Sequence, residues 1–142
     1  MAVNSSKYAA RSQTIDNMIW SLASGESFWT FYEVITWWLI ANGRVGLLSE
    51  TDDWPAIVAL TLTMVLWSQL HFYVNHRLLH WGPLYWAAHS LHHRNVNTGP
   101  WSGISMHPLE HLLYFSAPVL LWFIPSHPVV VVARRRAGRT DD

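Results

Sequence analysis

The sequence has no cysteine, few charged residues and no excess of charge of either sign. Of its 142 residues 13% are charged, and nine basic side chains balance nine acidic ones. The lack of cysteine excludes a disulfide framework and the zinc fingers that combine cysteine with histidine. A net charge of zero gives no indication of a nucleic-acid partner. The zinc-protease motif H-E-x-x-H is also absent, because the stretch from His76 to His80 contains no glutamate.

The composition is instead apolar and rich in tryptophan. About half of the residues (51%) are hydrophobic and ten are tryptophan, a balance that favours a membrane protein. No charged residue occurs between Trp54 and Leu70, and Pro55 suits the first turn of a helix. A spanning helix needs roughly 17–25 such residues. We therefore predict a helix that crosses the bilayer and continues to His76 and His80.

Histidine is concentrated in one stretch of the chain. Eight of the nine histidines lie between His71 and His111. Histidine is a common metal ligand and a proton carrier near neutral pH. Spacings of three and four residues place side chains on one face of a helix. These spacings occur in two groups: His76 with His80, and His89 with His92 and His93. Imidazole-rich sites without cysteine suit iron, zinc, copper or nickel.

The other histidines are less clearly ligands. His107 and His111 repeat the four-residue spacing around Glu110, which could orient an imidazole or serve as an acid in the first turn of a helix. His71 precedes the first group by five residues, roughly 140° around a helix, so it does not easily share that site. His127 stands alone, and we interpret it as a structural, hydrogen-bonded residue.

Three segments resemble the fatty acid hydroxylase and sterol desaturase superfamily: HFYVNHRLLH, LYWAAHSLHHRNVN and GPWSGISMHPLEHLLYF. The resemblance covers residues 19–131. These proteins are integral membrane oxidoreductases, and their histidine boxes hold a two-metal, usually di-iron, centre that activates dioxygen against an unactivated C–H bond. The predicted metal ligands are His76, His80, His89, His92, His93 and His107, with zinc as the alternative to iron. The superfamily's final H-x-x-H-H box would lie beyond residue 142.

The resemblance implies both a fold and a function. We expect an all-α integral membrane bundle that hydroxylates or desaturates a lipid: a sterol, a sphingoid base or a fatty acyl chain. Electrons would come from a cytochrome b5-like or ferredoxin-like donor. One alternative is a truncated, non-catalytic membrane fragment, because the final box is missing. Another is a zinc-binding hydrolase, for which Glu110 would be the water-activating base.

The chain is predicted to contain three segments. Residues 1–25 form a polar N-terminal segment, and residues 26–132 form an incomplete membrane domain. Residues 133–142 form a basic tail, which we interpret as the result of a premature stop or a shifted reading frame. In the first segment, Thr14 or Asp16 would cap a helix.

Loop charges predict the orientation in the membrane. Positive residues favour the cytoplasmic side. Arg77 and Arg94 accompany the histidine boxes, whereas residues 42–53 contain three acids and one arginine. The boxes would therefore be cytoplasmic, and residues 42–53 would lie on the opposite side. After the boxes, Pro108 would begin an apolar helix that runs to Ile124.

Overall fold

The computed structural model is mostly helical. It describes residues 12–95, 99 and 101–137, with side chains up to residue 133. In this part of the chain there is no strand, and Leu47 and Ser126 form an isolated parallel bridge. The predicted helical class is therefore confirmed. The α-helices are α1 (Gln13–Trp20), α2 (Ser27–Ala41), α3 (Trp54–Leu79), α4 (Gly82–Leu84), α5 (Ser90–His93), α6 (Pro108–Tyr114) and α7 (Pro128–Ala137). Two π-helical turns, Ser21–Glu26 and Tyr85–His89, and a 3-10 helix, Ala117–Trp122, complete the elements.

The chain packs into two compact units, each made of two separate stretches. Unit 1 contains residues 1–30 and 76–113, and unit 2 contains residues 31–75 and 114–142. These units are defined by packing, so they do not test the boundaries predicted at residues 25 and 132. Residues 1–11 of the predicted polar segment lie outside the described residues.

Helix α1 buries its polar face. Ser12 is the N-cap, and its side-chain oxygen accepts a hydrogen bond from the backbone N–H of Ile15 at 3.2 Å. The predicted cap at Thr14 or Asp16 is therefore wrong. Asp16 is instead buried, whereas Ile15 and Ile19 are about half exposed. This arrangement is the reverse of a soluble amphipathic helix, which turns its apolar stripe towards the core.

Helix α3 is 26 residues long and carries the first histidine box at its end. Among the described residues, it alone is long and apolar enough to cross a membrane. Its leucines lie open on the surface, with Leu62 at 62% and Leu66 at 71% exposure. The prediction that this helix continues to the first box is confirmed, because it ends at Leu79 and the N–H of His80 still bonds the carbonyl of His76.

The core of unit 2 forms where α3 meets the last two helical elements. Met64 packs against Leu121 of the 3-10 helix and against Val130 of α7, and all three are almost fully buried. The indole N–H of Trp67 donates to the carbonyl of Ala117 at 3.0 Å. In unit 2, helix α3 is therefore held by apolar packing and by a side-chain hydrogen bond.

The segment after the histidine boxes is broken into shorter helices than predicted. Helix α6 ends at Tyr114 rather than at Ile124. Pro118 explains the break, since a proline inside a helix lacks an N–H and clashes with the carbonyl four residues earlier. The valines that begin at Val129 belong to α7, which continues through Ala137. The end of the predicted basic tail, residues 138–142, lies outside the described residues.

Candidate metal centre

Four imidazoles of unit 1 lie close together, and the ligand nitrogens of three of them, His76, His80 and His89, all lie within 4.8 Å of one another. His80 Nε2 lies 3.1 Å from His76 Nε2 and 3.2 Å from His89 Nε2, and His93 Nε2 lies 3.0 Å from His89 Nε2. We call these residues the four-histidine cluster. His89 is fully buried, whereas His80 and His93 are exposed. The cluster therefore lies at the protein surface, with His89 closing its inner side.

Local structure explains why these rings meet. His76 and His80 are one helical turn apart at the end of α3, and His89 and His93 are one turn apart around α5. Between the pairs, α4 begins at Gly82 with a proline in its first turn, so the chain changes direction there. The π-helical turn that ends at His89 re-aims this ring, a use that such turns often have at functional sites.

The separations of the nitrogens fit a single metal ion. Two imidazole nitrogens bound to one ion at about 2.05 Å lie about 2.9 Å apart at a right angle and about 3.3 Å apart at the tetrahedral angle. The observed values of 3.0–3.2 Å fall between these limits. Nε2 of His80 and Nε2 of His89 each lie close to two neighbouring ring nitrogens. A ring nitrogen carries either one proton or one lone pair, so it cannot form a full hydrogen bond to both neighbours. Hydrogen bonds alone therefore pair these rings poorly, whereas one cation would accept the lone pairs of His76, His80 and His89 together.

Glu110 fixes the orientation of the buried ring. The Nδ1–H of His89 donates to Glu110 Oε1 at 2.6 Å, and the other carboxylate oxygen accepts the backbone N–H of His107 at 3.3 Å. This bond leaves Nε2 of His89 without a proton and facing the cluster, as in carboxylate–histidine–metal triads. Glu110 is fully buried with both oxygens engaged. It is therefore not placed to act as the water-activating base that the hydrolase alternative requires.

The electrostatics keep the buried ring neutral. Burial, and then the neighbouring His93 and His80, lower the pKa of His89 from 6.5 to about 4. Burial also raises the pKa of the Glu110 carboxyl. A neutral imidazole is the form that binds metal. At neutral pH, His89 is consequently already in the protonation state of a ligand.

His92 lies beside the cluster. Its ring centre is 5.7 Å from that of His89 and 5.8 Å from that of His93. Burial is the main cause that lowers the pKa of His92. Its Nδ1 is buried without a hydrogen-bond partner in the part of the chain that the structure describes. Buried polar atoms normally have a partner, so this nitrogen also fits a ligand role.

His107 caps a helix. Its Nδ1 accepts the backbone N–H of Leu109 at 3.2 Å, where Pro108 opens α6. His127 makes the same bond to the N–H of Val129 at 3.2 Å, where α7 also begins with a proline. The structure thus gives His127 a structural bond, in line with the interpretation from sequence. It does not bring His107 into the four-histidine cluster, and the ligand role of His107 stays a prediction.

His111 and His71 are each held by hydrogen bonds to residues other than histidine. Nε2 of His111 donates to the carbonyl of Ile104 at 3.0 Å, and its Nδ1 accepts the hydroxyl of Ser24 at 2.7 Å. A Cβ on Gly25 would lie 3.3 Å from that Nε2, so glycine permits this close approach. In unit 2, His71 Nε2 lies 3.0 Å from the hydroxyl oxygen of Ser116. Both ring nitrogens of His111 are therefore engaged in hydrogen bonds.

Sequence reasoning missed the part played by the N-terminal helix. Asp16 forms an ion pair with Arg94, and Ser21 Oγ donates to the carbonyl of Trp101 at 3.2 Å. Together with Ser24, these residues form a buried polar face that contacts the segments around the second box. The sequence signal that could have revealed this buried face is the recurrence of small or polar residues about every four positions from Asp16 to Ser24, between apolar residues.

The histidine-rich part of the chain matches a known protein family. The Fatty acid hydroxylase family model matches residues 61–137, a stretch that contains the whole four-histidine cluster and Glu110. A similar protein is the Delta(7)-sterol 5(6)-desaturase erg3C of Aspergillus fumigatus, 29% identical over 77 residues that cover 51% of this chain and 24% of the desaturase. The chain thus spans about a quarter of the length of this curated relative. No solved structure matches the chain. The family match covers more than half of the chain, which therefore belongs to the fatty acid hydroxylase and sterol desaturase superfamily.

Proposed function

We propose that this chain carries the metal centre of a membrane-bound oxidoreductase that uses dioxygen to hydroxylate or desaturate a lipid. Family membership supports the reaction class and the lipid substrate. The observation that carries the proposal is the proximity of His76, His80 and His89, whose ligand nitrogens all lie within 4.8 Å of one another, with His93 Nε2 3.0 Å from His89 Nε2. The substrate classes that we propose are a sterol, a sphingoid base or a fatty acyl chain.

The residues of unit 1 would divide the work at the metal centre. His76, His80 and His89 would hold a first ion, and His92, His93 and His107 are the remaining ligands proposed for a second. Imidazole binds iron and zinc alike, and the family favours two irons. When bound, these metals would supply the oxidising chemistry, which side chains alone lack. The protein would hold the ligands neutral and fix their orientation through Glu110.

We further propose that the centre acts at a membrane surface. Helix α3 would span the bilayer, because it is apolar and its leucines are exposed rather than packed. The arginine distribution supports a cytoplasmic position for the histidine boxes. A cytochrome b5-like or ferredoxin-like protein would deliver the electrons on that side. Lipid would reach the centre from the bilayer.

Metal analysis of the chain purified in detergent tests the centre. We expect bound iron or zinc in the unaltered chain and loss of metal in His80→Ala and in His89→Ala. His127→Asn is the matched control, since asparagine preserves the helix cap while one imidazole is removed. Equal metal content in all four proteins would contradict the proposal.

A separate assay tests turnover. The chain, with iron, an electron donor and lipid vesicles, should give oxidised lipid that depends on dioxygen. The alternative is a fragment that binds metal but does not catalyse, since the chain spans only about a quarter of the curated relative. Bound iron without any oxidised lipid would support that alternative.

A further inference from the structure

We propose that helix α1 positions the second histidine box, and that the Asp16–Arg94 ion pair is the contact through which it does so. This inference deepens the proposed function and rests on the metal centre described there. Asp16 would be a positioning residue. It contacts no member of the four-histidine cluster directly and would act through the backbone that carries His93.

The contact is buried and direct. The side chain of Asp16 is 2% exposed and that of Arg94 is 24% exposed. A second contact lies one helical turn earlier on the same face of α1, where Gln13 Nε2 donates to Asn95 Oδ1 at 3.3 Å. Two successive residues after the second box are therefore tied to one face of α1.

The second box needs such an external support. Helix α5 is the last turn of an unbroken helical run that begins at Gly82 and includes the π-helical turn, and Arg94 is its C-cap. A helix of about twelve residues is only marginally stable by itself in water. The direction of the His93 ring, 3.0 Å from His89, must therefore be set by tertiary contacts. Arg94, the next residue in the chain, supplies such a contact through its ion pair with the buried carboxylate of Asp16.

The nature of the pair also favours a positioning role. A buried ion pair adds little net stability, because removing both charges from water offsets their attraction. Its geometric demand is high, because a buried carboxylate must keep the guanidinium group within hydrogen-bonding distance. The pair thus constrains the end of α5 more than a packed apolar contact would.

Asp16→Asn, which keeps the shape and removes the charge, is the variant to test. Asp52→Asn is the matched control, because Asp52 is an exposed carboxylate in the loop of residues 42–53, outside unit 1. The full chain in detergent is studied without metal by hydrogen–deuterium exchange, and then by titration with cobalt(II), whose absorption reports the imidazole ligands. The exchanged double variant Asp16→Arg/Arg94→Asp keeps opposite charges at the two positions.

We expect Asp16→Asn to raise the cobalt dissociation constant roughly tenfold, at the lower end of the effect seen for residues that orient ligands. Amides of residues 89–95 should exchange faster in the metal-free variant, while those of α7 remain unchanged. The double variant should recover most of both properties. The control should behave as the unaltered chain does.

Unchanged exchange at residues 89–95 in a folded Asp16→Asn chain would overturn the inference. If that variant does not fold, the double variant decides: recovery of fold and cobalt affinity supports the inference, and recovery of neither overturns it. An unaltered chain that binds no cobalt would refute the proposed metal centre instead. The exchange measurement on the metal-free protein would still judge the positioning role.

Discussion

Replacing Glu110 by glutamine should weaken metal binding far more than it weakens the fold. Glu110 is fully buried, and its carboxylate accepts the Nδ1–H of His89 at 2.6 Å. A glutamine amide can present its NH₂ group to His89 instead. That contact favours the tautomer in which Nε2 carries the proton, and a protonated Nε2 cannot bind a metal.

The expected sizes of the two effects differ. Loss of a carboxylate that orients a histidine ligand typically lowers metal affinity 10–100-fold, about 1.4–2.7 kcal/mol. The free energy of unfolding of the metal-free protein should change by about 1 kcal/mol or less. The reason is that glutamine keeps one acceptor oxygen and removes a buried charge. Metal affinity is measured by chelator competition, and stability by denaturant unfolding.

The matched control is Glu26→Gln, which alters an exposed carboxylate in the same compact unit. This control should leave both quantities unchanged. Equal metal affinities for Glu110→Gln and Glu26→Gln would refute the argument that the carboxylate selects the tautomer of His89.

Three further predictions concern the cap, acid stability and the membrane orientation. His107→Asn should keep the unfolding temperature but lower the number of bound metal ions. His107→Ala should lower the number of bound metal ions and also lose about 1 kcal/mol of stability. Full metal content in the asparagine variant would limit His107 to its capping role. Burial lowers the pKa of His111 from 6.5 to about 4, so the unfolded chain takes up this proton first as pH falls. The free energy of unfolding should therefore decline between pH 6.5 and 4, and in the unaltered chain this decline should be larger than in His111→Gln by on the order of 3 kcal/mol. An equal decline in the two proteins, measured by denaturant unfolding at each pH, would contradict this prediction. An impermeant thiol reagent on sealed cells should label Ser49→Cys from outside and not Ala87→Cys, and the opposite pattern would reverse the proposed orientation.

Short-range spacing was enough to find the core of the site. His76 with His80, and His89 with His93, are each four residues apart, and a helix brings such side chains together whatever surrounds them. His92 was expected to join them. Its ring lies 5.7 Å from that of His89, and its ligand role stays a prediction.

Long-range pairings could not be predicted in this way. His89 and Glu110 are 21 residues apart, and Asp16 and Arg94 are 78 residues apart. No periodicity links positions so distant, so only the folded chain shows that they meet. The burial of Asp16 also contradicts the usual rule that the polar side of a helix faces water.

Two local signals were present in the sequence and were not used. Pro118 marks the break that ends α6 before the predicted Ile124. The repeated His-Pro pair, at His107 and again at His127, marks two helix starts at which the ring caps the helix. A histidine directly before a helix-initiating proline therefore has a structural use as well as a chemical one.

The central claim is that the imidazoles of His76, His80 and His89 bind one metal ion together, and X-ray absorption at the metal edge tests it most directly. The chain purified with iron or cobalt should show imidazole scattering from nitrogen neighbours at roughly 2.0–2.2 Å. His89→Ala should reduce that scattering, and His127→Asn should not. A metal shell without imidazole, or identical spectra for the unaltered chain and His89→Ala, would contradict the account.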